Sequence, residues 1–163
     1  MKFAVDCMLG KLAKWLKILG FDAVFFSKIE DEELIGLAEK EDRILLTRDT
    51  GLIERARHSS TLFIESENWR EQVKQVLDHF DLWEDVNPNS RCIECNSPLR
   101  EVSKKRAKNL VTPFIYKTAD TFALCPACGR VFWRGTHLKD MESKISELLK
   151  TKTIPFDDLG KDH

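Results

Sequence analysis

The sequence predicts an α/β chain: a mostly parallel four-stranded sheet with flanking helices, followed by a small β-rich module built on four cysteines. Three observations predict it. Over residues 1–80, short apolar runs alternate four times with stretches of helical periodicity, and continuous apolar strands of this kind belong to parallel sheets covered on both faces. Two C-x-x-C pairs, Cys92/Cys95 and Cys125/Cys128, come next. The charge also changes sign where the cysteines begin. Residues 1–88 carry 12 Lys/Arg against 18 Asp/Glu, a net of −6; residues 89–163 carry 14 against 9, a net of +5. Such a change marks two modules of different character.

In chain order, residues 2–5 read as a short buried strand ending at Asp6. Residues 8–19 form a helix with Leu9, Leu12, Leu16 and Leu19 on one side and Lys11, Lys14 and Lys17 on another, closed by Gly20. A second strand covers 22–26, and Asp31 opens a second helix to about Lys40. Residues 43–47 are a third strand running into Arg48 and Asp49, followed by a short helix over about 51–57. A fourth strand covers 61–65, and Asn68 can cap a helix to Phe80. Leu82 to Asn89 reads as the linker. Domain boundaries are therefore placed at 1–85 for the α/β domain, 86–140 for the cysteine module, and 141–163 for a closing helix and tail. Within the module, residues 113–116 and 131–133 read as strands.

The cysteines point to zinc. A C-x-x-C pair puts two thiolates on one tight turn, and two pairs complete a tetrahedron. Asn96-Ser97 and Gly129 are the residues such turns favour. Two disulfides or a redox pair are the competing readings. Four thiolates leave no open coordination position, so this zinc is expected to be structural, and the chemistry must lie elsewhere. The remaining Cys7 fits a reducing interior. Charged residues interrupt any signal-like stretch near the N-terminus, and no run approaches the roughly 18 apolar residues of a membrane span. The protein is expected in the cytoplasm, with no membrane partner.

The strand ends carry the second signal. In a parallel sheet all C-terminal strand ends share one edge, where ligands bind. Asp6, Glu30 and Asp31, Asp49, and Glu65 follow the four strands in turn. Carboxylates gathered at one point repel unless a cation joins them. Hard oxygen ligands suit Mg²⁺ or Mn²⁺, which activate water and offset charge in phosphodiester hydrolysis. The competing reading is structural, because Asp6, Asp31 and Asp49 each precede a helix, where Asp is a favoured N-cap.

The motifs Asp6-Cys7-Met8-Leu9-Gly10-Lys11-Leu12-Ala13-Lys14-Trp15-Leu16, Leu19-Gly20-Phe21-Asp22, Asp31-Glu32-Glu33-Leu34 and Arg43-Ile44-Leu45-Leu46-Thr47-Arg48-Asp49 stand together with both cysteine pairs and Trp133-Arg134-Gly135-Thr136-His137. In these the chain resembles, over about 1–140, the PIN-like RNase domains with a C-terminal zinc ribbon, the family named after the C-terminal domain of the Mut-seven exonuclease. The resemblance implies a metal-dependent endoribonuclease in which Asp6, Asp31 and Asp49 match the family's acidic positions. It also implies that Thr47 is the hydroxyl residue found beside such sites. Glu65 is a positional candidate for a fourth acid.

Other residues extend this reading. Lys11 lies near the acidic edge and is a candidate phosphate contact, and Arg48 is a candidate bidentate clamp. Lys14 and Lys17 read rather as a solvated face. The run 100–108 holds five basic residues and one acid. Lys104, Lys105, Arg106 and Lys108, with Trp133, Arg134 and His137, are the expected contacts to RNA, in particular single-stranded RNA, whose bases stack on aromatic rings. Phe114 and Phe132 read rather as ribbon core. The rival function is a non-catalytic RNA- or ribosome-binding adaptor whose aspartates are helix caps. A third possibility is a protein-interaction module that uses the basic run.

Overall fold

The structure is a computed structural model describing residues 1–133 and 136–150, the latter without the side chains of 136–139. It divides into two compact units, Met1–Ser97 and Pro98–His163. The division falls after the first cysteine pair.

In the first unit, strands β1 (Lys2–Val5), β2 (Asp22–Phe25), β3 (Ile44–Thr47) and β4 (Thr61–Phe63) form one sheet in the order β2-β1-β3-β4, every pair parallel. A 3₁₀ turn at Cys7–Leu9 leads into α1 (Gly10–Ile18), and α2 (Asp31–Glu41), α3 (Thr50–Arg55) and α4 (Trp69–His79) complete the four strand–helix steps. Ala4 and Leu45 pack against Leu34 and Ala38 of α2 and Leu52 of α3 on one face. The other two helices, α1 and α4, pack on each other. The chain goes from β1 to its neighbour β2 and then crosses to β3 on β1's other side. That reversal makes the C-terminal ends of β1 and β3 the topological switch point, where open α/β sheets bind ligands.

Local chemistry explains the element ends. Gly20 closes α1 at φ 95°, and a Cβ there would lie 2.3 Å from the Asn87 carbonyl oxygen, so glycine is required both for conformation and for space. Asn68 caps α4 by accepting from the Arg70 N–H at 2.9 Å. The fourth strand ends at Phe63, two residues before the sequence-based limit, so Glu65 stands beyond the sheet as an exposed loop residue.

The second unit contains an antiparallel sheet of β5 (Arg100–Val102), β6 (Phe122–Leu124) and β7 (Val131–Trp133) in that order, with helices α5 (Lys104–Ala107), α6 (Pro113–Thr118) and α7 (Thr136–Leu149). Val102, Ala107, Ala119 and Phe122 form its small core. Residues 113–116 are helical, contrary to the strand expected there. The Thr112 hydroxyl accepts from the Ile115 N–H, and Pro113 occupies the first helical position, where its missing N–H costs nothing. Phe114 is 74% exposed, so it is not the core residue its type suggested; Phe132 is half-buried. No helix among the described residues is long and apolar enough to cross a membrane.

Candidate functional site

Asp6 directly follows β1 at the switch point and is buried. It makes no helix-cap hydrogen bond. Instead the fully buried Thr47 hydroxyl, at the end of β3, donates to Asp6 Oδ2 at 2.6 Å. The same hydroxyl oxygen accepts from the Asp49 N–H at 2.9 Å. One side chain thus fixes the rotamer of Asp6 and the path of the chain into Asp49. Parallel pairing aligns the two strand ends, with Val5 opposite Leu46 and the Asp6 N–H donating to the Leu46 carbonyl at 3.0 Å. The Cys7 thiol, next in sequence, is pushed above its ordinary value by burial and by the carboxylates of Asp6 and Asp31.

Asp49 is a helix cap: its Oδ1 accepts from the N–H groups of Gly51 at 2.8 Å and Leu52 at 3.3 Å. Asp31 occupies the first turn of α2, which Glu30 precedes as N-cap, and pairs with Arg55 from the end of α3. Arg55 also reaches Glu32 at 3.3 Å and lies in the field of Asp49, and the hydrogen bond with Asp31 holds its guanidinium above the usual range. Arg55 was not singled out in the sequence. It lies 24 residues from Asp31, and no local spacing announces the pair. Among the described residues, the side chains gathered closely enough to hold a metal are the four cysteines. The three aspartates share one edge without converging to that distance. Their oxygen chemistry suits a hard divalent cation, while Arg55 supplies the positive charge beside Asp31.

The remaining candidates at this edge divide. Arg48 donates to the backbone carbonyls of Ile64 at 3.3 Å and Glu65 at 2.5 Å and lies 3.6 Å from Glu67, so its guanidinium ties down the segment after β4. Glu65 is joined to the fold through its backbone, its N–H donating to Gln75 at 3.0 Å. Lys11 is exposed, with its Nζ 5.5 Å from the Trp69 ring.

The cysteine sulfurs lie within 4.8 Å of one another, and all five cysteines are free of disulfides. Both pairs sit in turns of one design. The Cys92 N–H donates to Ser97 and the Asn96 N–H to Cys92, while the Cys125 N–H donates to Arg130 and the Gly129 N–H to Cys125, all at 2.8–2.9 Å. Asn96 and Gly129 take positive φ at the matching position. Cys92 and Cys125 are buried, Cys95 and Cys128 exposed. The set fits a tetrahedral zinc, as in a zinc ribbon.

The first turn is anchored to the sheet edge opposite the aspartates. Asn96 donates to Asp22 at 2.7 Å and accepts from the Ala23 N–H at 3.0 Å, both at the start of β2. Buried Arg43 donates to the same Asp22 oxygen at 2.6 Å and pairs with Glu41. Burial alone would raise the Asp22 pKa; the hydrogen bonds from Arg43 and Asn96 outweigh it and hold this carboxyl below its ordinary value. Lys17 is buried rather than solvated, and burial lowers its pKa against the opposing fields of Glu94, Cys92 and Cys95.

In the second unit, Lys104, Lys105 and Arg106 lie exposed on α5, with Lys108 just beyond it. Lys104 stands 5.4 Å from the Tyr116 ring, and Trp133 is 38% exposed. Arg134 and the His137 side chain lie outside the described residues.

The family model for the Mut7-C RNAse domain matches residues 1–145. The chain belongs to that family. Membership brings an RNase-type function to a Mut7-C fold whose switch point carries Asp6 and Thr47. No curated protein and no solved structure matches this chain.

Proposed function

We propose that this Mut7-C protein is a metal-dependent endoribonuclease that acts on single-stranded RNA in the cytoplasm. The observation that carries the reading is the buried Asp6 carboxylate, fixed by Thr47 at the switch point of a Mut7-C RNase fold. A carboxylate there is costly to bury, and the fold holds it at the one place where a ligand has access to two strand ends. Asp6, Asp31 and Asp49 are the residues that would hold Mg²⁺ or Mn²⁺. When bound, such an ion activates a water and offsets the charge developing on the phosphodiester. In this reading Asp31 would help hold the ion, and Arg55, its present partner, would meet a phosphate oxygen. The N-terminal unit is too acidic to attract RNA by itself, and Lys104, Lys105, Arg106, Lys108 and Trp133 supply attraction and stacking from the second unit, with Arg134 and His137 beside them in sequence. Zinc in the cysteine tetrad is structural.

A second reading, a non-catalytic RNA- or ribosome-binding adaptor, is favoured by Asp49 and Asp31 already having partners in a helix cap and an ion pair. Cleavage of a labelled single-stranded RNA with Mn²⁺ or Mg²⁺ separates the two. Divalent-dependent cleavage, lost in Asp6→Asn/Asp49→Asn at full zinc content while RNA affinity is kept or raised, supports the nuclease. Binding without cleavage by the wild type supports the adaptor.

A further inference from the structure

The second unit carries an open groove of about 440 Å³ between β7 and the loop that joins α5 to α6. Each wall has a local cause. On β7, Val131 and Trp133 are two residues apart and so project from the same side of the strand. The turn over 125–130 fixes where that strand starts, with the Cys125 N–H donating to the Arg130 carbonyl at 2.8 Å. The facing loop is pinned at both ends. The Leu110 N–H donates to the Ala107 carbonyl at 2.9 Å, and the Thr112 hydroxyl caps α6. Val111, Ile115 and Val131 are half-buried against the small core and form the floor. Leu110 and Trp133 stand exposed at the rim, and Asn109 lines the groove where the loop leaves α5.

Three features say what this groove can take. Among the described residues, the Trp133 indole has no ring, cation or hydrogen-bond contact of its own. The Asn109 amide likewise makes no hydrogen bond among them. An amide presents an acceptor beside a donor, which is the pattern found along the edge of a nucleobase. The third feature is charge. Residues 100–117 hold six Lys/Arg against one Glu. Lys104 is engaged with the Tyr116 ring, but Lys105, Arg106 and Lys108 are exposed and make no ion pair among the described residues. Lys108 immediately precedes Asn109, so these cations continue directly into the groove. The complementary ligand is therefore a polyanion that carries flat apolar units with polar edges. An acidic peptide meets the charge, but its anchors make less use of an open indole face and a free amide than a base does.

We propose that this groove seats one unpaired nucleobase of an RNA strand. The base lies against the Trp133 indole over the floor of Val111, Ile115 and Val131, Asn109 bonds its edge, and Lys105, Arg106 and Lys108 hold the flanking phosphates. The proposal deepens the reading that the chain acts on single-stranded RNA, and rests on it. A base within a duplex has its edge paired and its faces stacked, so the groove admits only unpaired strands. The pinned loop and the core behind it set the groove before any ligand arrives, which lowers the ordering cost of binding.

The test uses the full, zinc-loaded chain and two short fluorescent strands of equal length, a single-stranded RNA and an abasic strand. Affinity is measured by anisotropy at several salt concentrations. Stacking one base on an aromatic ring corresponds to about 5- to 150-fold in affinity, so the wild type should prefer the RNA by at least the lower figure, with the same salt slope for both strands. Trp133→Ala should erase that preference and leave the slope alone. Each phosphate contact on a single strand contributes about 0.7 to the slope of log affinity against log salt, so Lys105→Gln/Lys108→Gln should flatten it by about 1.4 and keep the preference. Asn109→Ala, an exposed change that leaves the core intact, should weaken RNA binding about 2- to 10-fold without affecting the abasic strand. Thermal unfolding of each variant checks the fold. A wild type that binds and cleaves RNA but holds both strands equally, or a folded Trp133→Ala that keeps the preference, would overturn the groove alone. A short glutamate peptide with one central leucine should not displace the RNA; displacement would make the groove a peptide site and overturn the proposal. A wild type that neither binds nor cleaves RNA would overturn the RNase reading and the groove with it.

Discussion

Replacing Thr47 with valine removes a hydroxyl and keeps the shape. The Thr47 oxygen serves two partners, donating to Asp6 Oδ2 at 2.6 Å and accepting from the Asp49 N–H at 2.9 Å, and the residue is fully buried. A hydrogen bond to a charged group contributes about 1.5–3 kcal/mol, and stranding the part-buried Asp49 N–H costs about 1 kcal/mol at most, the low end for a buried donor. The variant also no longer buries a hydroxyl, which returns about 1–3 kcal/mol. The net expectation is a loss of about 1–2 kcal/mol. Thr47→Ser keeps the hydroxyl and loses one methyl, a cost of about 0.8 kcal/mol. Urea unfolding of the zinc-saturated protein, followed by tryptophan fluorescence, measures both, since Trp83 is fully buried in the same unit. The denaturation midpoint should fall in the order wild type, Ser, Val. With the Asp6 rotamer released, cleavage of single-stranded RNA should be reduced in Thr47→Val and retained in Thr47→Ser. A valine variant as stable as the serine variant would refute the reasoning, because it would mean the hydroxyl holds nothing at the switch point.

Two further outcomes follow from the opposite edge. The Asp22 carboxyl is held below its ordinary 3.8 in the folded state, so its contribution to stability is present in full above the unfolded value and lost as pH falls through the folded one. The stability gap between wild type and Asp22→Asn should therefore be constant from pH 7 down to about 4 and close below it, as read by thermal unfolding at a series of pH values. A gap independent of pH down to pH 2 would contradict the assigned interactions. Removing zinc with a strong chelator should abolish the fold of the second unit, because structural zinc contributes about 10–16 kcal/mol of apparent binding free energy at neutral pH and the Val102–Phe122 core beside it is small. Loss of far-UV signal and of protease resistance beyond residue 98 is the expected reading. Unchanged unfolding after complete zinc removal would assign the cysteines another role.

Features encoded over a few residues were legible in the sequence. The strand–helix alternation, the Gly20 terminator, the Asn68 cap and both cysteine turns are local, and each appears at or near its expected position. The one element read as the wrong type, residues 113–116, failed for a local reason as well: an apolar run after proline suits a strand by composition, but Thr112 and Pro113 together make a helix start. Similarly, three lysines three residues apart suggested one solvated face, yet three residues fall short of a full helical turn, so the face drifts. Lys17 turns into the fold while Lys11 and Lys14 stay outside.

What the sequence determined by itself was which carboxylates and thiolates stand at strand ends and tight turns, because periodicity of two or 3.6 and C-x-x-C spacing act within one element. The tertiary structure decided which of them have partners. Thr47 reaches Asp6 across 41 residues, Arg55 reaches Asp31 across 24, and Asn96 reaches Asp22 across 74. Each contact exists because parallel pairing and the crossover at β1 bring distant strand ends to one edge or the other, and no spacing along the chain encodes that register. The same pairing made Asp31 an ion-pair partner and Asp6 a buried carboxylate, whereas Asp49 became a cap through its own next turn.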